Sequence, residues 1–165
     1  MKIQMLKAIV ATTALAALGL GATASNAATA TATARAKILR QLTVTNTSDL
    51  QFGTIVTGAA ASTVAVSTAG VVTCGAGLVC SGTTTAAGFT IGGTTGQVAT
   101  ISVPATVTLT NAALNIMTAT LNASAATTTL VANAGAFSVG GTLAVGASQP
   151  DGDYTGTFVA TVNYQ

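Results

Sequence analysis

Side chains able to do chemistry are scarce in this chain. Among 165 residues there are 5 Lys or Arg, 3 Asp or Glu and no His. General acid–base and nucleophilic catalysis need a group that titrates near the operating pH and is held beside its partner. Serine and threonine hydroxyls abound, yet no base stands ready to activate one, and Lys37 is the only lysine past the first 27 residues. Neither a GxSxG turn, a phosphate-binding Gly-rich loop nor a dinucleotide fingerprint occurs. The sequence therefore predicts no enzyme, no catalytic residues and no cofactor.

Two pairs have spacing worth testing. Cys74 and Cys80 bracket five residues in CGAGLVC, two of them glycine, so a tight loop can bring the sulfurs together as a disulfide. Such a bridge is a local staple worth about 2 kcal/mol on chain-entropy reasoning. The CxxC spacing of a redox pair is absent, and without histidine a zinc site has no support. Asp151 and Asp153 in QPDGDYTG raise calcium, but that ion takes about 6 to 8 oxygen ligands, and Pro-Asp-Gly is a turn signal ahead of a strand; no metal is expected. Arg35, Lys37 and Arg40 lack interleaved aromatics and make a poor nucleic-acid surface. Asn46-Thr47-Ser48 and Asn122-Ala123-Ser124 fit the glycosylation sequon.

Which elements carry these residues begins with what is removed. MKIQMLKAIVATTALAALGLGATASNA has a basic start at Lys2 and Lys7, a short apolar run and a small-residue exit, the pattern of a secretory signal peptide over residues 1–27 cut between Ala27 and Ala28. The apolar run falls short of the roughly 20 residues a spanning helix needs; no transmembrane segment is expected in the mature chain. Export through the inner membrane to the periplasm, then the cell surface or beyond, is the expected route. Cleavage leaves 165 minus 27, or 138 residues, with Arg35, Lys37 and Arg40 against Asp49, Asp151 and Asp153, a net charge of zero. A near-neutral surface favours self-association.

The remainder reads as strand throughout. Thr, Val and Ala fill short runs broken by Gly, Asn and Ser, with no sustained helical period. About eight to ten short strands in that length predict an all-β fold, an immunoglobulin-like antiparallel β-sandwich, with a domain over 46–165 and an N-terminal extension over 28–45. In that extension Ala30, Ala32, Ala34, Ala36 and Ile38 share one face of an amphipathic strand that continues to Val44. The terminal stretch alternates likewise: Tyr154, Gly156, Phe158, Ala160, Val162 and Tyr164 line one face of a strand running to the chain end. An internal echo, FTIGGT from Phe89 and FSVGGT from Phe137, is read as two equivalent sheet edges, each closed by a Gly-Gly hairpin.

These residues carry a resemblance. The terminal alternating strand, with Tyr164 penultimate and Gly152 fourteenth from the end, is similar to the endings of chaperone-usher pilin subunits. LQFGTI, from Leu50 to Ile55, resembles the F-G-T stretch of archaic pilins and spore-coat-U-like proteins. FSVGGTLAV from Phe137 and GDYTGTFVATVNY from Gly152 resemble an uncharacterised exported bacterial family bearing a domain of unknown function. The pilin resemblance implies a sandwich lacking one strand, in which residues 154–164 border an assembly groove and residues 28–38 are the donor for the next subunit, by strand addition. It implies a structural subunit of a fimbria-like surface filament, with identical subunits, a periplasmic chaperone and an outer-membrane usher as partners. The alternative is a self-complete secreted sandwich acting as a surface or matrix binding and adhesion module.

Overall fold

The computed structural model describes residues 27–165; the signal segment expected over 1–27, apart from Ala27, lies outside the described residues. Residues 27–36 are exposed and carry no regular secondary structure, so the amphipathic strand expected from residue 28 does not form within this chain. The domain spans Lys37–Gln165. Its first strand is β1, Thr43–Ser48, which runs across the boundary expected at 45/46.

Eleven further strands follow: β2 Thr54–Val56, β3 Ser62–Val66, β4 Val72–Cys74, β5 Val79–Ser81, β6 Ala87–Gly92, β7 Val98–Ser102, β8 Thr106–Thr110, β9 Ile116–Ala123, β10 Thr127–Thr129, β11 Ala134–Val145 and β12 Thr161–Tyr164. All pairings are antiparallel, and no helix occurs among the described residues. Composition explains this. Alanine alone favours helix, but here it alternates with β-branched Thr and Val, which lose side-chain freedom in a helix and fit a pleated surface.

The long strand β11 organises the larger sheet. Val139 pairs with both Ala87 of β6 and Ala123 of β9, and Gly141 pairs with both Val66 of β3 and Leu121 of β9. A residue has one neighbour on each edge, so β9 occupies one edge of β11 and β3 and β6 share the other. The two are halves of one interrupted strand, and residues 67–86, which include β4 of the same sheet, run between them. Gly140 sits at the break: a Cβ there would stand 2.5 Å from the Val66 carbonyl oxygen. Outside these, β1 pairs with β6, β4 with β3, and β8 with β9. A second sheet has the order β10-β7-β12, and a two-stranded ribbon joins β2 to β5.

One core lies between the sheets, a sandwich-like arrangement. Val64, Val66, Ile91, Val139 and Leu143 from the larger sheet meet Ala99, Ile101 and Val162 from the smaller. Strict alternation puts every second residue inward; β9 reads exposed-buried along nearly its whole length. The echo motifs are central and not edges. Phe89 pairs directly with Phe137, and their rings stack with centroids 4.9 Å apart. Gly140-Gly141 is mid-strand, because β11 runs on past the junction between β6 and β3 rather than turning. Gly92-Gly93 does end a strand, and Gly93 is needed for space: a Cβ there would meet the Leu130 methyl at 2.6 Å and the Tyr164 hydroxyl at 2.7 Å.

The disulfide forms as expected between Cys74 and Cys80. It does more than close a loop. Cys74 ends β4, paired to β3 at Val64, whereas Cys80 lies in β5, paired to Ile55 of β2. The bridge therefore clamps the two-stranded ribbon to the rim of the larger sheet.

Candidate functional site

The terminal segment keeps its expected face except at Gly156, which is exposed, and loses its expected continuity. Tyr154, Phe158, Ala160, Val162 and Tyr164 turn toward the core, while Thr155, Thr157, Val159, Thr161 and Asn163 are exposed. Regular pairing is confined to its two ends. Thr155 exchanges hydrogen bonds with Thr110 of β8, at 2.8 and 3.1 Å, and Thr161–Tyr164 pairs with β7 from Ser102 to Ala99. Between Thr155 and Thr161 the chain advances six residues, while its partner advances eight, from Ser102 to Thr110. The two extra residues bow out around Pro104, which has no N–H to offer a ladder. Residues 156–160 consequently belong to no strand. Gly156 passes so close to the Thr108 carbonyl oxygen that no side chain fits there. Phe158 still reaches the core, edge-on to Phe89 with centroids 6.2 Å apart.

Each tyrosine anchors one end. The Tyr154 hydroxyl donates to the Pro150 carbonyl at 2.8 Å and accepts from the Gln149 amide at 2.9 Å. Gln149 also donates to Ile116 O, and its side-chain oxygen accepts from Gly146 N. Asn111, the one buried polar side chain among the described residues, donates to Asp151 O at 3.3 Å and accepts from Asn115 N at 2.8 Å. Gly152, at φ 137°, packs against it. The turn carrying Asp151 and Asp153 is thus held by Gln149, Asn111 and Tyr154, whose roles the sequence did not announce beyond the Pro-Asp-Gly turn signal. At the other end the Tyr164 hydroxyl donates to Arg40 O at 2.7 Å and accepts from Thr94 N at 2.8 Å.

A groove of about 920 Å³ opens beside this turn. One wall is the stretch 50–57, containing Phe52 and Ile55; the other is 149–155, containing Tyr154; the floor is Leu109, Met117, Leu143 and Val145. Phe52, Met117, Leu143 and Val145 are core side chains already buried at the base of the groove, while Asp151 and Asp153 stand on its wall. The walls are the two segments singled out from the sequence, LQFGTI and the start of the terminal strand. A smaller opening of about 590 Å³ follows the other flank, between Thr157 to Thr161 and the Pro104 bend.

The remaining candidates are not brought to this groove as a chemical cluster. Ala30, Ala32, Ala34, Ala36 and Ile38 are exposed, Ile38 at 91%. Lys37 donates to the Gln97 side chain at 2.9 Å. Among the described residues no three His, Cys, Asp or Glu side chains gather to hold a metal. Every charged residue among those described lies outside the strands, so the edges of β1, β4 and β12 lack the lysines that usually guard a sheet edge. The groove combines the part-buried apolar side chains Leu50, Ile55, Leu109 and Tyr154 with the polar turn 149–153 and the one unpaired edge of β2, an arrangement that can bind through burial and main-chain hydrogen bonds.

No curated protein and no solved structure matches the chain. No described helix is long and apolar enough to cross a membrane. Residues 42–164, from the residue ahead of β1 to the end of β12, match the domain of unknown function DUF4402, and the chain belongs to that family.

Proposed function

We propose that the protein is an exported structural subunit that assembles by β-strand addition into a fimbria-like filament on the cell surface. The observation that carries this reading is the groove between 50–57 and 149–155, floored by core residues, with the unpaired edge of β2 on one wall and the turn bearing Asp151 and Asp153 on the other. An added strand would cover the part-buried Leu50, Ile55 and Tyr154 and supply backbone partners to β2 at the same time. The donor is the N-terminal extension of a second copy. Its alternating Ala30, Ala32, Ala34, Ala36 and Ile38 are exposed, and Ile38 is a large apolar side chain with nothing over it. Nine residues of extended chain span roughly 30 Å, a length suited to a groove along a strand of that size. Such a head-to-tail contact propagates as a filament when its rotation does not close. The pilin resemblance adds a periplasmic chaperone that holds the groove before assembly, and an outer-membrane usher.

Electron microscopy of the purified exported chain tests the reading. Filaments from the intact chain, and none from a chain lacking residues 28–36, are expected; a monodisperse intact chain contradicts it.

A second reading has its own support. Residues 37–42 are tied to their own domain by Lys37 to Gln97, Arg40 N to Thr94 Oγ1 and Tyr164 to Arg40. The groove volume also falls in the range of small-ligand sites, about 300–1,000 Å³. Both features favour a self-complete sandwich that serves as a surface or matrix adhesion module, with the groove as its ligand site.

A further inference from the structure

Charge is segregated along this chain. Beyond residue 27 the only cations are Arg35, Lys37 and Arg40, and the 165 minus 40, or 125, residues that follow hold none. The only anions are Asp49, Asp151 and Asp153. Two of these, Asp151 and Asp153, are exposed on the wall of the groove, whereas the cations cluster at the base of the extension. Within one domain the two sets stand apart. The Tyr154 hydroxyl holds the acidic turn at Pro150, and the Tyr164 hydroxyl holds Arg40. Those tyrosines are 164 minus 154, or ten, residues apart, roughly 30 Å of extended chain. Lys37 belongs to the Tyr164 end as well, since its partner Gln97 precedes Val98, whose carbonyl accepts from Gln165 N. Charges are screened beyond about 8 Å at physiological salt, so the cations held in the domain do not serve its own acidic turn.

We infer, resting on the filament reading above, that Asp151 and Asp153 set the register of the strand added to the groove by receiving Arg35 and Lys37 of a second copy. Covalent reach selects the occupant. The two residues from Lys37 back to Arg35 span at most about 7 Å, so Arg35 does not return to its own acidic turn, and the cations of another copy carry no such tether. Alternation selects the face. Arg35 and Lys37 share a face with Thr29, Thr31 and Thr33, opposite Ala30, Ala32, Ala34 and Ala36. A strand with its alanines turned into the groove therefore turns both cations outward, to the rim where the exposed carboxylates stand. Spacing agrees, since the cations are two residues apart and so are the anions. Charge also supplies what the alanines lack. Ala28 to Ala34 alternate alanine with threonine without exception, so a slip of two residues presents an identical face to the groove. Only Arg35 and Lys37 distinguish one register from the next. On docking, Lys37 exchanges its uncharged Gln97 partner for a carboxylate. Opposite charge on the two surfaces also steers their encounter and suppresses the reversed strand.

Fluorescence anisotropy of a labelled peptide of residues 28–38 tests this on protein lacking residues 28–36, a deletion that lies outside the domain, with circular dichroism confirming that each protein is folded. An exposed charge pair is worth roughly two- to five-fold, so an Arg35→Gln/Lys37→Gln peptide should bind about ten-fold more weakly than the native one. Asp151→Asn/Asp153→Asn should lose the same factor for the native peptide and nothing for the neutral one. Raising salt from about 20 to about 300 mM should erase the native peptide's advantage. Reversing both sides, Asp151→Lys/Asp153→Lys with an Arg35→Glu/Lys37→Glu peptide, should restore it. Asp49→Asn, one residue ahead of the opposite wall, should change nothing. Equal binding of native and neutral peptides, or a loss that follows Asp49 in place of Asp151 and Asp153, overturns the inference and leaves the groove as the seat of the extension. Binding by no peptide at any salt overturns both. Charge-dependent binding, with no filaments from the full exported chain in electron micrographs, upholds the register and ends the filament reading.

Discussion

The Tyr164 hydroxyl donates to the Arg40 carbonyl across 124 positions of sequence, at 2.7 Å. It also accepts from Thr94 N at 2.8 Å, in space left by Gly93. The penultimate residue thereby fixes both the end of β12 and the segment entering β1. Tyr164→Phe keeps the ring and leaves one acceptor and one donor unpaired in a part-buried site. The expected cost is about 1–2 kcal/mol, read as a lower urea midpoint with unchanged slope, and faster amide exchange over residues 40–42.

Phe158 and Val159 are neighbours on opposite faces. Phe158 meets the Phe89 ring, whereas Val159 is 76% exposed. Phe158→Asp should cost roughly 3 kcal/mol through lost packing and an unpaired charge at the core; Val159→Asp should change stability by about 0.5 kcal/mol or less. Chemical denaturation of the two variants checks the assignment of faces, and equal effects would contradict it.

Reduction should matter beyond one loop, because Cys74 and Cys80 join the β2–β5 ribbon to β4. The unfolded, unreduced protein should contain no free thiol on labelling. Cys74→Ala/Cys80→Ala should lose about 2 kcal/mol and raise amide exchange at Ile55 and Val64 together. A change confined to residues 75–79 would mean that the bridge is only a local staple.

The proposed export makes a chemical prediction. If the leader is cut as expected, N-terminal sequencing of protein recovered outside the cytoplasm should begin Ala28-Thr29-Ala30. An uncut chain would keep Lys2 and Lys7 and their charge.

Much of the fold was legible because alternation is a local signal. The inward set Tyr154, Phe158, Ala160, Val162 and Tyr164 follows from a period of two, whatever the strand pairs with. Pairing itself is not local. The two-residue bow at Pro104 that takes residues 156–160 out of any strand depends on how β7 and β8 are joined, and nothing within 154–164 encodes it. The Gly-Gly pairs misled for a similar reason. Gly140 answers a close approach by the Val66 carbonyl, from a strand more than 70 positions earlier, while the same dipeptide elsewhere closes hairpins. The walls of the groove were visible as segments, LQFGTI and the terminal strand. Their juxtaposition, and the hold of Gln149 and Asn111 on the turn between Gly146 and Tyr154, required tertiary structure.

The central claim is that the groove between 50–57 and 149–155 receives the N-terminal extension of another copy. Its most direct test is a titration of isotope-labelled protein lacking residues 28–36 with a synthetic peptide of residues 28–38, followed by amide chemical shifts. The account predicts shifts at Phe52, Tyr154 and Leu143, weak binding for the native alanine ladder, and tighter binding for an Ala32→Leu peptide, since each buried methylene adds about 0.8 kcal/mol. A spectrum unchanged by either peptide, or shifts confined to residues away from both walls, would contradict it.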